Sequence, residues 1–140
     1  SVPNFNLNIQ NILNFNERLN KYTNLDDSFF LDEKQISFVS NAKKIVKDYQ
    51  CVQLFTNGAM LLYLLRKPSC SIFYFTITIG SKENQIKLNK LMSNTQIVIS
   101  DTYKNKFSPN YRLKYTNKYI KNNYENIYEE DVWVIKKRVN

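Results

Sequence analysis

The strongest hydrophobic pattern in the chain runs from Cys51 to Ser81. Residues 51–56 form a short apolar run that predicts a buried strand. Residues 59–65 predict a short apolar helix, which two cations and a proline bring to an end. Residues 71–79 are rich in β-branched and aromatic side chains and predict a second strand. A strand, a helix and a second strand in this order favour a right-handed crossover between two parallel neighbours.

Weaker patterns on both sides of this unit predict the remaining elements. In chain order these are a lead-in segment over residues 1–31 with a short amphipathic helix near 9–19, a helix over 31–49, a helix over 82–92, a third strand over 96–100, a helix over 111–122, and two short strands over 124–129 and 132–137. Together they predict an α/β fold with a small three-layer, doubly wound sheet. This sheet has three mainly parallel strands plus a C-terminal antiparallel hairpin, with helices on both faces. The chain is expected to form a single domain over residues 1–140, with its core in 32–138.

Two polar positions are predicted to act as helix N-caps. Thr56-Asn57 precedes the helix at 59–65, and Ser81 precedes the helix at 82–92. Gln85 is close enough in sequence to assist Ser81, as in a capping box.

The composition narrows the possible chemistry. The 140 residues include no His and two Gly. Imidazole acid–base catalysis and His-based metal ligation are therefore excluded, and a glycine-rich phosphate loop is disfavoured. No Ser/His/Asp arrangement, paired-carboxylate motif or P-loop is present, so the chain itself is not expected to be catalytic, and neither a cofactor nor a metal is expected. The sequence also has no apolar run of the ~20 residues that a membrane span needs, and it does not open like a signal peptide.

The charge is strongly basic, with 20 Lys and Arg against 12 Asp and Glu, a net charge of +8. This balance permits binding to nucleic acid or to an anionic membrane surface. The basic residues are dispersed, and the longest run is Lys136-Lys137-Arg138, which is typical of a solvated surface. Tyrosines are interleaved with them at Tyr103, Tyr111, Tyr115, Tyr119, Tyr124 and Tyr128. Such interleaving can bind single-stranded nucleic acid, but the near-helical spacing from 111 to 119 favours packing in the core or at an edge.

Polar residues follow the carboxyl ends of the three predicted parallel strands. Open α/β sheets bind ligands at this edge, and a helix N-terminus there can hold an anion such as a phosphate or a sugar carboxylate. The candidate ligand-binding residues are Thr56, Asn57, Gly58, Gly80, Ser81 and Asp101. The simpler alternative is that Thr56 and Asn57 only cap a helix.

Cys51 and Cys70 each stand at the start of a predicted strand. Parallel neighbours place them at the same end of the sheet, about 5 Å apart in the pairing direction, which is within the range that a disulfide requires. The alternative is two buried free thiols in a cytosolic protein. Two cysteines without a histidine are too few for a metal site.

The central run and the C-terminal strands also resemble a known kind of domain. The features that carry the resemblance are Cys51, Thr56-Asn57, Leu62-Tyr63-Leu64-Leu65, Lys67-Pro68-Ser69-Cys70, Phe73-Tyr74-Phe75, Gly80-Ser81 with Gln85, Tyr119, Asn123-Tyr124 and Trp133-Val134-Ile135-Lys136. Over residues 32–138 the chain resembles the soluble tail of bacterial multi-pass membrane glycosyltransferases of the GT-C type. That class includes the protein mannosyltransferases and the lipid A aminoarabinose transferases.

The resemblance implies a position on the extracytoplasmic (periplasmic) side of the inner membrane, after the last membrane helix. Enzymes of this class use a polyprenyl-phosphate-linked sugar and acidic residues in an early loop between membrane helices. That loop is not in this chain, so no catalytic residue is carried over. The implied partners are the transmembrane part of the same polypeptide, a lipid-linked sugar or an anionic membrane surface. In such a compartment a disulfide between Cys51 and Cys70 is expected to persist.

Two hypotheses for function therefore remain. The first is a non-catalytic extracytoplasmic domain of a membrane glycosyltransferase that assists docking of the acceptor or the donor. The second is a basic α/β module that binds nucleic acid, which the charge and the tyrosine–lysine interleaving motivate.

Overall fold

The structure is a computed structural model and describes residues 31–139. Residues 1–30 of the predicted lead-in segment, including its short helix, lie outside the described residues. From Glu33 onward the chain forms one compact unit. Within residues 31–139, every helix is too short or too polar to cross a bilayer.

The described residues form a mixed α/β fold with one four-stranded sheet and five helices. In chain order the elements are α1 (Glu33–Val46), β1 (Gln53–Phe55), α2 (Met60–Leu65), α3 (Lys82–Leu91), β2 (Ile97–Asp101), α4 (Pro109–Arg112), α5 (Lys114–Asn123), β3 (Tyr124–Glu130) and β4 (Trp133–Arg138). Two 3-10 turns, Thr76–Thr78 and Met92–Asn94, lie between them. The predicted helix over 111–122 is divided at Leu113 into α4 and α5.

The sheet is mixed, with the strand order β1-β2-β4-β3. β1 and β2 are parallel, whereas β4 runs antiparallel to both of its neighbours. All five residues of β2 are buried, and Ile99 pairs with Leu54 on one side and Ile135 on the other. The predicted C-terminal hairpin is confirmed, and its first strand, β3, forms an edge of the sheet.

Side chains of β2 and β4 alternate between the two faces of the sheet. On one face, Val98 belongs to a buried cluster with Leu88 of α3 and Ile120 of α5. On the other, Trp133 of β4 stacks against Phe38 of α1 with their ring centroids 5.8 Å apart. The buried positions of α1 recur at helical spacing, so one stripe of this helix supplies the contact.

The predicted second strand over residues 71–79 is wrong. This segment is irregular apart from the 3-10 turn Thr76–Thr78, so the described sheet has two parallel strands rather than three. Its inward residues, Phe73, Thr76 and Ile79, recur every third position, whereas a strand turns alternate residues to the same face. An extended chain could not bury all three together.

A few separate backbone and side-chain hydrogen bonds, rather than a strand ladder, join this segment to β1. The carbonyl oxygens of Val52 and Thr56 accept hydrogen bonds from the Cys70 N–H at 3.1 Å and the Thr76 hydroxyl at 3.0 Å. The amide of Gln53 donates to the Phe73 carbonyl oxygen at 3.0 Å. The segment therefore lies against β1 without pairing with it as a strand.

The predicted disulfide between Cys51 and Cys70 is confirmed, with their Cα atoms 5.0 Å apart. It lies next to an isolated parallel bridge between Val52 and Ser69. Parallel pairing of this single residue pair is enough to bring the two cysteines together. The pairing was therefore predicted correctly although the strand that was expected to follow Cys70 does not form.

The two predicted N-caps have different outcomes. The Ser81 side chain accepts a hydrogen bond from the Asn84 N–H at 3.1 Å and caps α3 as predicted. Its predicted helper, Gln85, is buried and accepts a hydrogen bond from the Tyr115 N–H at 3.1 Å instead. The prediction for Thr56-Asn57 is wrong, because α2 begins at Met60 and no side chain caps it.

Candidate functional site

Thr56 and Asp101 meet at the carboxyl ends of the two parallel strands. The Thr56 hydroxyl donates a hydrogen bond to Asp101 Oδ2 at 2.5 Å, and both residues are buried. The Tyr103 N–H donates to the second carboxylate oxygen, Oδ1, at 3.1 Å. Adjacent parallel strands end at the same edge of a sheet, so this contact follows from the topology.

These two residues lie in the wall of a cavity of about 410 Å³, which we call the strand-end crevice. Its lining consists of Thr56, Asn57, Gly58, Asp101, Tyr103, Asn105, Phe107, Ser108 and Trp133. Four of the six residues predicted from the sequence therefore come together at one site. The other two, Gly80 and Ser81, do not line the crevice: Gly80 is exposed with open space beside it, and Ser81 caps α3.

Side-chain hydrogen bonds hold the loop that forms the outer wall of the crevice. Asn57 donates through its amide to the Phe107 carbonyl oxygen at 2.9 Å, and Ser108 donates through its hydroxyl to the Tyr103 carbonyl oxygen at 2.8 Å. Within the loop, the Phe107 N–H donates to Asn105 Oδ1 at 2.9 Å. Asn57 thus positions the loop rather than a helix.

Three aromatic side chains, those of Trp133, Tyr103 and Phe107, line the crevice. The Trp133 ring stacks on Phe38 and makes a T-shaped contact with Tyr103, with the Trp133 and Tyr103 centroids 6.5 Å apart. Tyr103 and Phe107 are 47% and 65% exposed. A Cβ atom on Gly58 would lie 3.1 Å from the Trp133 ring, so the absence of a side chain lets the backbone approach this ring.

Sequence reasoning did not place Trp133 or Tyr103 at this site. The signal that could have found Trp133 is the strand register, because Trp133 of β4 pairs directly with Asp101 of β2. That pairing joins two strands separated by about thirty residues, and no local pattern fixes it.

Burial raises the pKa of the Asp101 carboxyl, and the hydrogen bonds from Thr56 and the Tyr103 N–H partly oppose this shift. Asp101 is 4% exposed, so its carboxylate is a poorly hydrated acceptor. A ligand that donates hydrogen bonds to it would replace missing water contacts. Within residues 31–139, no group of three or more carboxylates or thiols is arranged to hold a metal ion.

A second cavity of about 310 Å³ shares Asp101 and Tyr103 with the crevice. Its lining includes three lysines and three asparagines, namely Lys104, Lys121, Lys136, Asn110, Asn117 and Asn126. We call it the lysine cavity. Burial lowers the pKa of Lys136, an effect that the nearby Glu129 carboxylate partly opposes. A bound anion would stabilise the charged form of this ammonium.

The tyrosines that were predicted to pack in the core or at an edge fall into two groups. Tyr124 is buried, and its hydroxyl oxygen lies 2.9 Å from the carbonyl oxygens of both Met92 and Thr95, which share its single hydrogen. Tyr111 and Tyr115 are instead 61% and 49% exposed. These two side chains are therefore accessible to a partner.

Comparison with known proteins does not identify the chain. No protein-family model matches it, and no curated protein or solved structure is significantly similar to it. What this chain can bind must therefore be judged from the geometry of its crevice and of its surface.

Proposed function

We propose that this chain is a non-catalytic extracytoplasmic domain of a membrane glycosyltransferase that uses a polyprenyl-phosphate sugar donor, and that it assists docking of the acceptor or the donor. In this proposal the strand-end crevice holds the sugar. The observation that carries it is the buried Asp101 carboxylate beside the aromatic wall formed by Trp133, Tyr103 and Phe107.

A sugar ring presents two kinds of surface that match this wall. Its C–H face is apolar and can stack on an aromatic ring, whose face is electron-rich. Its hydroxyl groups can donate hydrogen bonds to a carboxylate and accept them from an amide such as that of Asn57. A mostly apolar cavity with a few converging polar groups is the usual form of a small-molecule site.

The lysine cavity supports the choice of a lipid-linked sugar. Such a donor joins its sugar to a phosphate, and the lysine cavity adjoins the crevice at Asp101 and Tyr103. Lysine ammonium groups bind phosphate as point charges. The two cavities could therefore hold the two parts of one donor.

The compartment in this proposal is supported by the disulfide between Cys51 and Cys70, because such bonds persist in oxidising, extracytoplasmic environments. We also propose the finer fold description, a doubly wound sheet between two helical layers. Its support is that Phe38 of α1 packs on one face, whereas Leu88 of α3 and Ile120 of α5 share a cluster with Val98.

Sugar binding can be followed with the fluorescence of Trp133, the single tryptophan of the chain. We expect methyl glycosides and sugar phosphates to change its emission in a saturable way. Asp101→Asn keeps the shape of the side chain but removes its charge, and it should weaken binding by about tenfold or more. The matched control is Asp131→Asn, which changes an exposed carboxylate in the β3–β4 turn.

Two results would contradict the proposal. One is an emission spectrum that no sugar in the panel changes, and the other is equal affinity of the Asp101→Asn and Asp131→Asn variants. The membrane setting has a separate test, since the coding sequence upstream of Ser1 is expected to encode a series of hydrophobic helices. An upstream sequence without them would exclude the glycosyltransferase.

The second candidate function is binding of single-stranded nucleic acid, which the exposure of Tyr111 and Tyr115 favours. The Lys82 ammonium lies 5.0 Å from the centroid of the Tyr115 ring, so a cation and a stacking surface occur together. Oligonucleotide binding that weakens steeply with salt and is lost in Tyr111→Ser/Tyr115→Ser would support this function. No binding at low salt would exclude it.

A further inference from the structure

The segment over residues 72–77 turns large apolar side chains toward solvent. Ile72 is 79% exposed, Tyr74 56%, Phe75 36% and Ile77 53%. We call these four residues the 72–77 surface. A folded domain rarely leaves this many neighbouring apolar side chains exposed unless they meet a partner or a membrane.

The backbone beneath this surface is held in place. Phe73 packs against the core, while Thr76 and Ile79 are fully buried. The Arg112 guanidinium donates to the carbonyl oxygens of Ile79 and Thr76, at 2.5 and 2.6 Å. The disulfide at Cys70 anchors the start of the segment. Its outward side chains are therefore displayed by a fixed scaffold.

Along the chain, the charges that flank the 72–77 surface have one sign. No Asp or Glu occurs between Asp48 and Glu83. Next to the surface, a groove brings Tyr74 together with Tyr63, Arg66 and Lys67. The Arg66 guanidinium lies over the Tyr63 ring, 4.3 Å from its centroid. The apolar side chains of the 72–77 surface thus follow two cations, Arg66 and Lys67, in a stretch of sequence that contains no carboxylate.

We propose that the 72–77 surface binds an anionic lipid bilayer, with its apolar side chains in the interface and the exposed Arg66 near the headgroups. This inference rests on the membrane setting of the proposed function and adds the face by which the domain contacts the bilayer. Tyrosines are favoured at the membrane–water interface, aliphatic side chains gain from leaving water, and nearby cations are attracted to anionic lipid.

The same charges disfavour a second copy of the chain as the occupant. A symmetric dimer through this surface would bring Arg66 and Lys67 of one copy near those of the other, and like charges in such an interface oppose association.

The test is co-flotation of the intact protein with phosphatidylcholine vesicles, with and without phosphatidylglycerol. The protein should float with the anionic vesicles and much less with the neutral ones. Ile72→Ser/Tyr74→Ser/Ile77→Ser should lower partitioning more than about tenfold, because three apolar side chains leave the interface. Arg66→Gln should lower it about fivefold.

The matched control is Ile86→Ser/Leu91→Ser/Ile127→Ser, which removes three exposed apolar side chains elsewhere and should float like the wild type. Equal flotation of both triple variants would overturn the proposal, as would wild-type protein that does not float with anionic vesicles. A wild-type dimer in solution that the first triple variant lacks would also overturn it, since the surface would then bind a second copy. Circular dichroism confirms that each variant is folded.

Failure of this inference can be distinguished from failure of the sugar proposal. Asp101→Asn alters the crevice and should leave flotation unchanged. Conversely, the first triple variant should keep the sugar-dependent change in Trp133 emission. Flotation without sugar binding would therefore exclude only the proposed ligand, and sugar binding without flotation would exclude only the bilayer contact.

Discussion

The segment over residues 71–79 and strand β3 show how little strand propensity decides by itself. The segment reads SIFYFTITI, in which eight of nine residues are β-branched or aromatic, yet it forms no strand. β3 reads YENIYEE, with three glutamates and an asparagine that disfavour strands, yet it pairs with β4 from Tyr124 to Glu130, with one irregularity at Ile127. The segment over 71–79 has the higher strand propensity of the two, yet it is the one that is irregular.

The difference lies in the partner that each stretch finds. β3 ends at Glu130 and β4 begins at Trp133, so two residues close the hairpin, and Asp131 there has a positive φ of 53° that suits a tight turn. The segment over 71–79 lies beside the outer edge of β1, which is only three residues long. Thr76 and the side chain of Gln53 make hydrogen bonds there in place of a ladder.

The largest expected effect is the loss of the disulfide, which anchors the irregular segment but not the hairpin. Cys51→Ser/Cys70→Ser should lower the free energy of unfolding by about 3 kcal/mol, because a loop of this length is no longer closed in the unfolded chain. Urea denaturation measures this change.

Wild-type protein treated with a reducing agent is the control for the cysteine variant, and its midpoint should fall by a similar amount. The variant itself should not respond to the reducing agent. An unchanged midpoint in both cases would show that the bridge adds nothing to the anchoring of the segment.

A smaller effect should follow from Thr76→Val, which keeps the shape of the buried side chain. Its hydroxyl oxygen lies 3.0 Å from both the Thr56 carbonyl oxygen and Asn57 Oδ1, which share its single hydrogen. Leaving the buried Thr56 carbonyl oxygen without this donor should cost about 1–2 kcal/mol. The free energy of unfolding in urea measures it.

Thr78→Val serves as the comparison, since it lies in the same 3-10 turn but is exposed. Its effect should be within about 0.5 kcal/mol. If both variants lose the same stability, side-chain hydrogen bonds do not hold this segment against β1.

The smallest expected effects are changes in stability with pH, and they have opposite signs for Asp101 in the crevice and Glu130 in the hairpin. The Ser37 hydroxyl, the Tyr128 hydroxyl and the Asn41 amide donate to the Glu130 carboxylate, which lowers its pKa. The ionised Glu130 carboxylate therefore contributes fully to the free energy of unfolding above its unfolded pKa near ~4. This contribution is lost as the pH falls through the lower pKa of the folded state.

Asp101 behaves in the opposite way, because burial raises its pKa. The folded protein then holds the proton more tightly than the unfolded chain does. The contribution of Asp101 to the free energy of unfolding therefore becomes more favourable as the pH falls from the pKa of the folded state toward the unfolded pKa near ~4. Glu130→Gln should remove the loss of stability that Glu130 causes at acid pH, and Asp101→Asn should remove the gain of stability that Asp101 causes there. Unfolding free energies across the acid range measure both, and equal slopes in the two variants would contradict the assignment.

Much of the fold could be predicted from local patterns. The helices α1, α2 and α3, the strands β1 and β2, and the β3–β4 hairpin lie within a few residues of their predicted positions. The Ser81 cap and the Cys51–Cys70 disulfide also agree with their predictions. In the crevice, Thr56, Asn57, Gly58 and Asp101 were predicted because parallel strands end at one edge.

The sequence by itself determined the elements whose partners are local, since a helical stripe, a cap or a short turn is fixed by residues a few positions apart. Only the tertiary structure decided that the 71–79 segment is irregular, that Trp133 stands beside Asp101 and that Ile72 and Tyr74 face solvent. Each of these outcomes depends on which distant strand or helix occupies the neighbouring space. The hydrophobic pattern of a sequence shows which side chains are apolar. Whether another part of the domain packs against such a side chain depends on the tertiary structure.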